Sequence, residues 1–75
     1  MKTNEEALKL LAEEEGYMDP MDMLEDSMSL GCVPGICMND NCMATYNYEP
    51  DSNRGWCDEC QTNSVKSCYV LAGII

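Results

Sequence analysis

The sequence predicts a small α+β domain stabilised by a metal ion, in which two short amino-terminal helices pack on a four-cysteine zinc hairpin. Its 75 residues form one core that would contribute only about 3–5 kcal/mol, so a further stabilising element is expected. Two close cysteine pairs provide it, since pairs separated by a hairpin-sized loop are typical of a four-thiolate zinc site. The predicted ligands are Cys37, Cys42, Cys57 and Cys60.

These cysteines are expected to bind one structural zinc ion rather than to form disulfides or an iron site. The sequence lacks the pattern of a secretory signal, a basic segment followed by an apolar run of roughly 7–15 residues, so we expect reduced thiols and a cytoplasmic location. No apolar run approaches the roughly 18 residues of a membrane span. Binding of a structural zinc contributes on the order of 10–16 kcal/mol in small peptides, so folding is expected to depend on the metal.

The acidic charge limits the partners that the chain can bind. Fourteen acidic residues against four basic ones give a net charge of −10. Binding to a nucleic-acid backbone requires a cationic face, so direct nucleic-acid binding is not expected. Residues 1–31 hold nine of the acidic residues and two of the basic ones. This distribution indicates either a solubilising surface or an acidic face that attracts a basic protein partner.

A first helix is predicted over residues 4–15. Thr3 and Glu6 fit a capping box, in which the threonine hydroxyl accepts a hydrogen bond from the Glu6 amide. Leucine and alanine residues recur at helical spacing up to Gly16, which is a typical carboxyl-terminal stop. Three glutamates at positions 13–15 place negative charge at the negative end of the helix dipole, which is locally unfavourable.

A second short helix is predicted over residues 20–28. Asp19 is a typical N-cap, and the proline that follows suits the first helical position. Met21, Leu24 and Met28 share one face of this helix. Methionine fills irregular cores and also forms adaptable binding surfaces, so both roles stay open for this face. The residues predicted to contact a partner are Glu14, Asp22, Glu25, Met21 and Met28.

The acidic helical region of residues 1–31 is predicted to pack on a zinc-binding module of residues 32–75. Residues 29–36 are predicted as a hinge into this module, because Pro34-Gly35 favours a turn. A strand over residues 43–48 is indicated by the alternation of Ala44, Tyr46 and Tyr48 with polar residues.

The predicted strand continues into a turn over residues 49–55 and a short returning strand over residues 55–57, so this hairpin would return Cys57 to the metal. Residues 64–73 suit a helix, which would place the second cysteine pair at a helix start as in a treble clef. A strand there would instead give a three-stranded zinc ribbon; the helix is preferred. The apolar tail of residues 73–75 is then expected to dock on the amino-terminal helices.

Six cysteines for four ligands leave a choice. Cys32 and Cys37 are also separated by four residues, so spacing alone permits Cys32 in place of Cys42. Two features favour Cys42: the polar loop of residues 39–41 tolerates a tight turn, and Cys42 leads directly into the predicted strand. Cys32 and Cys68 are then expected to pack as small apolar residues.

Enzymatic chemistry has little support in the sequence. The segment Trp56–Cys60 matches the Trp-Cys-x-x-Cys outline of thioredoxin-like proteins, but Asp58 and Glu59 disfavour a neighbouring thiolate. A catalytic zinc site would normally include a histidine or carboxylate ligand, and the chain contains no histidine. We therefore expect a protein that is not an enzyme, and thiol–disulfide redox chemistry by Cys57 and Cys60 stays an alternative.

Five segments of the chain resemble small uncharacterised zinc-binding proteins of bacteria and their phages. They are Val33–Cys37, Glu49–Asp51, Arg54–Cys60, Val65–Ser67 and Val70–Ile74. The resemblance implies the same four ligands, Cys37, Cys42, Cys57 and Cys60, and a position for a small apolar residue at Cys68. It implies no activity.

The sequence therefore predicts a cytoplasmic, non-enzymatic zinc protein that acts through protein–protein contacts of an acidic, methionine-rich surface. An alternative is a phage-type inhibitor or DNA mimic, whose carboxylates would occupy the basic groove of a host nucleic-acid-binding complex. Both hypotheses require a protein partner with a basic surface.

Overall fold

The computed structural model describes residues 1–28 and 31–75, which form three helices and a four-stranded antiparallel sheet. This architecture confirms the predicted α+β class. In chain order the elements are α1 (Asn4–Glu14), α2 (Pro20–Ser27), β1 (Val33–Cys37), β2 (Thr45–Tyr48), β3 (Gly55–Cys57), β4 (Thr62–Ser67) and α3 (Cys68–Leu71). Ser29 and Leu30, which begin the predicted hinge, lie outside the described residues.

Helix α1 begins and ends at the predicted signals. The Thr3 hydroxyl accepts a hydrogen bond from the Glu6 amide at 3.1 Å. Gly16 has a φ of 86°, and the Tyr17 amide donates to the Ala12 carbonyl at 2.8 Å. This left-handed residue and the hydrogen bond back across the last turn form the helix end that glycine favours. The helix itself stops one residue before the predicted limit.

Helix α2 also follows its local signals, but its apolar face is only partly buried. The Asp19 carboxylate accepts a hydrogen bond from the Met21 amide at 3.0 Å. Met23 and Leu24 are buried, whereas Met21 is 58% exposed and Met28 is 76% exposed. The predicted face therefore divides into a buried leucine and two exposed methionines.

Residues predicted as a hinge form a central strand of the sheet. The strand order is β2-β1-β4-β3, and all five residues of β1 are buried. The hinge prediction is therefore wrong for residues 33–36, because burial between two neighbouring strands outweighs the turn preference of Pro34-Gly35. A Cβ atom on Gly35 would lie 2.9 Å from the Lys66 carbonyl oxygen. The glycine thus permits close approach of β4 rather than a turn.

The predicted hairpin between residues 43–48 and 55–57 is wrong, although both segments contain strands. β2 pairs with β1 and β3 pairs with β4, so the two strands lie at opposite edges of the sheet. β1 and β4 lie between them and contribute the fully buried Ile36 and Val65. The sheet curls, and its edges meet where the Tyr46 hydroxyl approaches the Cys57 sulfur at 3.6 Å.

The segment after Cys60 contains both of the elements that the sequence left as alternatives. Strand β4 is followed directly by the one-turn helix α3, and Ser67 at their junction accepts a hydrogen bond from the Val70 amide at 3.3 Å. The preferred helix over residues 64–73 is therefore right only for its later part. Neither the treble clef nor the zinc ribbon is confirmed.

Two groups of buried residues form the interior. The apolar core joins the helices to β1 and comprises Ala7, Leu11, Ala12, Met23, Leu24, Val33, Ile36, Met38, Cys68 and Leu71. The second group, which we call the cysteine core, comprises Cys37, Cys42, Cys57 and Val65, with Ala44, Tyr46, Tyr48 and Cys60 packed against it. Among residues 1–28 and 31–75, no helix combines the length and apolarity that crossing a membrane requires.

Candidate metal centre

Four cysteine sulfurs meet at one end of the curled sheet. Cys37 ends β1 and Cys57 ends β3, whereas Cys42 and Cys60 lie in the loops that follow these strands. All four Sγ atoms lie within 4.8 Å of one another. Two sulfur contacts link the first cysteine pair to the second: Cys37 to Cys60 at 3.8 Å and Cys42 to Cys57 at 3.7 Å. This cluster can hold a metal ion.

The first cysteine loop, residues 37–42, is fixed by hydrogen bonds at its base and its tip. The Cys37 amide donates to the Ala44 carbonyl at 3.1 Å, and the Cys42 amide donates to the Asn39 carbonyl at 3.1 Å. The Asn39 side chain in turn donates to the Ser64 hydroxyl of β4 at 3.4 Å. The sheet thus holds the loop in the form that directs both sulfurs inwards.

The second cysteine loop, residues 57–60, is a tight turn that ends at a residue with an unusual backbone conformation. The Gln61 amide donates to the Cys57 carbonyl at 2.7 Å, and Gln61 has a φ of 55°. Few residues other than glycine, asparagine and aspartate adopt this left-handed conformation readily. The Asp58 carboxylate accepts a hydrogen bond from the Trp56 indole at 2.8 Å.

The environment separates the pKa values of two thiols. Burial acts to raise the pKa of Cys57, but hydrogen bonds from the Cys60 backbone amide, the Tyr46 hydroxyl and the neighbouring thiols outweigh it and lower this pKa to about 7. At Cys42 a hydrogen bond from the Ala44 amide lowers the pKa, yet burial and the three neighbouring thiols raise it to about 12. Without a metal, negative charge therefore collects first on Cys57.

The two cysteines outside the cluster have different surroundings. Cys68 is buried in the apolar core, as predicted, and burial raises the pKa of its thiol. Cys32 is exposed, so its predicted apolar packing is wrong. It lies one residue before β1 begins, so the neighbouring strands that bury β1 do not cover it. Spacing alone permitted either Cys32 or Cys42 as the fourth ligand, and the structure places Cys42 in the cluster.

Lys2 contacts the first cysteine loop, and no sequence pattern marks it. Its ammonium group donates hydrogen bonds to the backbone carbonyls of Cys37, Asn39 and Cys42. Its backbone amide donates to the Met38 carbonyl at 2.9 Å. Lysine is seldom buried, and Lys2 lies 35 positions before the nearest cysteine of the loop. A single unpaired lysine gives no periodicity or spacing from which such a contact can be predicted.

The residues predicted to bind a partner lie on the exposed surface, and three of them share a groove. A groove of about 190 Å³ is lined by Met21, Leu24, Glu25, Met28, Tyr69 and Ile74. Glu14, at the end of α1, and Asp22, on α2, are exposed but do not line the groove. The carboxyl-terminal tail contributes Ile74, which stays 62% exposed. The tail therefore lines the groove with α2 through Ile74, but its predicted docking does not bury it, since Ile75 is also 62% exposed.

The chain matches no protein-family model, and the searches of curated proteins and of solved structures also find no match. The resemblance to small bacterial and phage zinc-binding proteins thus stays a prediction.

Proposed function

We propose that the protein is a non-enzymatic module built around one structural zinc ion and that it acts through protein–protein contacts of its acidic, methionine-rich surface. The observation that carries the metal assignment is the spacing of the sulfurs. A tetrahedral zinc with bonds of about 2.3 Å to sulfur separates its ligands by roughly 3.8 Å. Two of the sulfur pairs are separated by 3.7 and 3.8 Å, and all four sulfurs lie within 4.8 Å of one another.

A structural role is supported by the ligand set. Four thiolates complete the coordination of zinc and leave no open position for water or a substrate. The cysteine core contains Val65 as its only buried residue other than cysteine among the described residues. Without metal, this end of the sheet would be held by four thiols, one buried valine and the partly buried side chains of Ala44, Tyr46 and Tyr48. Zinc would therefore supply most of its cohesion.

The metal assignment is tested by following the fold as zinc is removed. A chelator added under reducing conditions should abolish the dispersed amide NMR signals of β3 and of both cysteine loops, and an equimolar addition of zinc should restore them. Dispersed signals from these segments in reduced, metal-free protein would contradict the structural role.

The groove on α2 supports contact with a protein. Exposed methionine side chains adapt to the shape of a ligand, and Met21 and Met28, which line the groove, are both exposed. The Glu25 carboxylate also lines the groove, and Asp22 and Asp26 are exposed on the same helix. The partner that complements this surface is a basic segment with an apolar side chain for the groove. A DNA mimic would need the carboxylates but not the groove, so a protein contact that also fills the groove is favoured over mimicry.

Thiol–disulfide exchange has one observation in its favour, the pKa of about 7 at Cys57. A reactive cysteine also requires access to its partner, whereas Cys57 is fully buried. Its sulfur contacts that of Cys42, at 3.7 Å, and not that of its predicted redox partner Cys60. The structural zinc role accounts for all four cysteines and is preferred.

A further inference from the structure

Lys2 places a buried positive charge against the first cysteine loop. Its side chain is only 7% exposed, and its ammonium group lies among three backbone carbonyls, all from residues 37–42. Within residues 1–28 and 31–75 there is one ion pair, between the Met1 amino group and Asp40 at 3.0 Å, and Lys2 takes no part in it. The three donors of Lys2 are satisfied by hydrogen bonds, but its charge has no carboxylate partner there.

Burying an unpaired ammonium is costly unless a negative charge lies close by. Carbonyl oxygens offer dipoles but no net charge. Two of the three carbonyls belong to Cys37 and Cys42, whose sulfurs are half of the cluster. Four thiolates around a divalent ion carry a net charge of −2, which is the negative charge that the position of Lys2 requires.

We propose that Lys2 is a positioning residue of the metal centre, which supplies a counter-charge to the loaded cluster and holds the first cysteine loop in its ligating form. This inference rests on the metal function proposed above. It also connects the metal to the helices, because the Lys2 amide binds the Met38 carbonyl and the next residue, Thr3, caps α1. Loading the centre thereby fixes the start of α1 on the loop.

The accessibility of Lys2 can be measured without changing the sequence. Amine acylation followed by peptide mass spectrometry should modify Lys2 at least tenfold more slowly than Lys9 in the zinc-loaded protein. Lys9 is an exposed lysine of α1 and serves as the internal control. Chelation of zinc should bring the two rates close together. Equal rates in the loaded protein would overturn the proposal.

The electrostatic part is tested with Lys2→Met and Lys2→Gln, with Lys9→Met as a matched loss of charge. Residues that support metal ligands typically change affinity by roughly 10–100-fold when replaced. Competition with a chromophoric chelator should show a loss in this range for both Lys2 variants and a change within about twofold for Lys9→Met. Zinc affinities of the Lys2 variants equal to that of the parent would overturn the proposal.

Measuring the reduction potential of the cluster distinguishes a counter-charge role of Lys2 from a packing role. Iron can be substituted for zinc as a redox-active probe. The cluster then carries one more negative charge as Fe(II) than as Fe(III), so removal of a nearby cation destabilises the reduced form. The potential should become more negative in Lys2→Gln, which keeps hydrogen-bond donors, and should not move in Lys9→Met. An unchanged potential in Lys2→Gln would overturn the counter-charge role. If the parent itself binds no metal, the proposed function fails. If the parent binds metal and the Lys2 variants match it in affinity and potential, this inference alone fails.

Discussion

The hydroxyl of Tyr46 on one edge strand donates a hydrogen bond to the sulfur of Cys57 on the opposite edge strand, at 3.6 Å. The same hydroxyl accepts a hydrogen bond from the Asp58 amide at 3.0 Å. One side chain thus joins both edges of the curled sheet and orients the second cysteine loop. Hydrogen bonds of this kind fix ligands and tune their donor strength.

Tyr46→Phe should therefore weaken zinc binding by about tenfold, within the range for groups that orient ligands. It should also raise the pKa of Cys57 in the metal-free protein, because the lost hydrogen bond stabilises the thiolate. Chelator competition and the pH dependence of thiolate absorbance measure the two effects. Tyr48→Phe is the matched control, since the Tyr48 hydroxyl donates to the Trp56 carbonyl and not to a sulfur. Equal zinc affinities for the two variants would contradict this role.

Metal loading should release fewer protons as the pH rises from about 6 to 8. Zinc binds thiolates, so each protonated ligand must lose its proton on binding. The pKa of Cys57 is about 7, so this ligand is mostly protonated at pH 6 and mostly deprotonated at pH 8 before zinc arrives. Cys42, with a pKa of about 12, contributes a full proton throughout. Titration in weak buffer with an indicator measures the release, and a constant number of protons across this range would count against the pKa assigned to Cys57.

Gly35→Ala should destabilise the zinc-loaded protein by about 1–3 kcal/mol, the usual cost of overpacking a well-packed interior. The added Cβ would lie 2.9 Å from the Lys66 carbonyl oxygen and 3.2 Å from a Val65 methyl group. Gly31→Ala is the control, because no atom of the residues that the structure describes lies within 4 Å of its Cβ position. Denaturant unfolding compares the two, and equal midpoints would show that β1 and β4 are not packed as described.

Neutralising Glu14, Asp22 and Glu25 with glutamine or asparagine should weaken capture of a basic partner and slightly raise the melting temperature. These carboxylates repel one another, and their long-range attraction sets the rate of association. The same charge change at Glu49, Asp51 and Glu59, which lie in the loops around β3 and not on α1 or α2, provides the control. Capture should also fall steeply with added salt. Capture from lysate that is insensitive to salt, or equal for the two triple variants, would rule out the acidic surface as the contact.

The helices could be predicted because their signals are local. Thr3, Asp19 and Gly16 each determine a helix end through hydrogen bonds or a φ angle within a few residues. The cluster of Cys37, Cys42, Cys57 and Cys60 could also be proposed, since the pairs are close in sequence and their spacing reflects the reach of a metal site.

The sheet could not be predicted in the same way. Pairing of Gly35 with Tyr46 and with Ser67 joins distant segments, and Pro34-Gly35 locally favours a turn. The exposure of Cys32 depends on where β1 begins, and the burial of Lys2 depends on carbonyls of a distant loop. Each of these features follows from tertiary contacts that no local pattern contains.

The central claim is that four particular cysteines bind one zinc ion, and elemental analysis with native mass spectrometry measures it directly. The parent protein should contain one zinc per chain. Cys57→Ser should lose it, whereas Cys32→Ser and Cys68→Ser should each retain one equivalent. A parent protein without zinc after purification in its presence, or a loss of zinc from Cys32→Ser, would contradict the assignment.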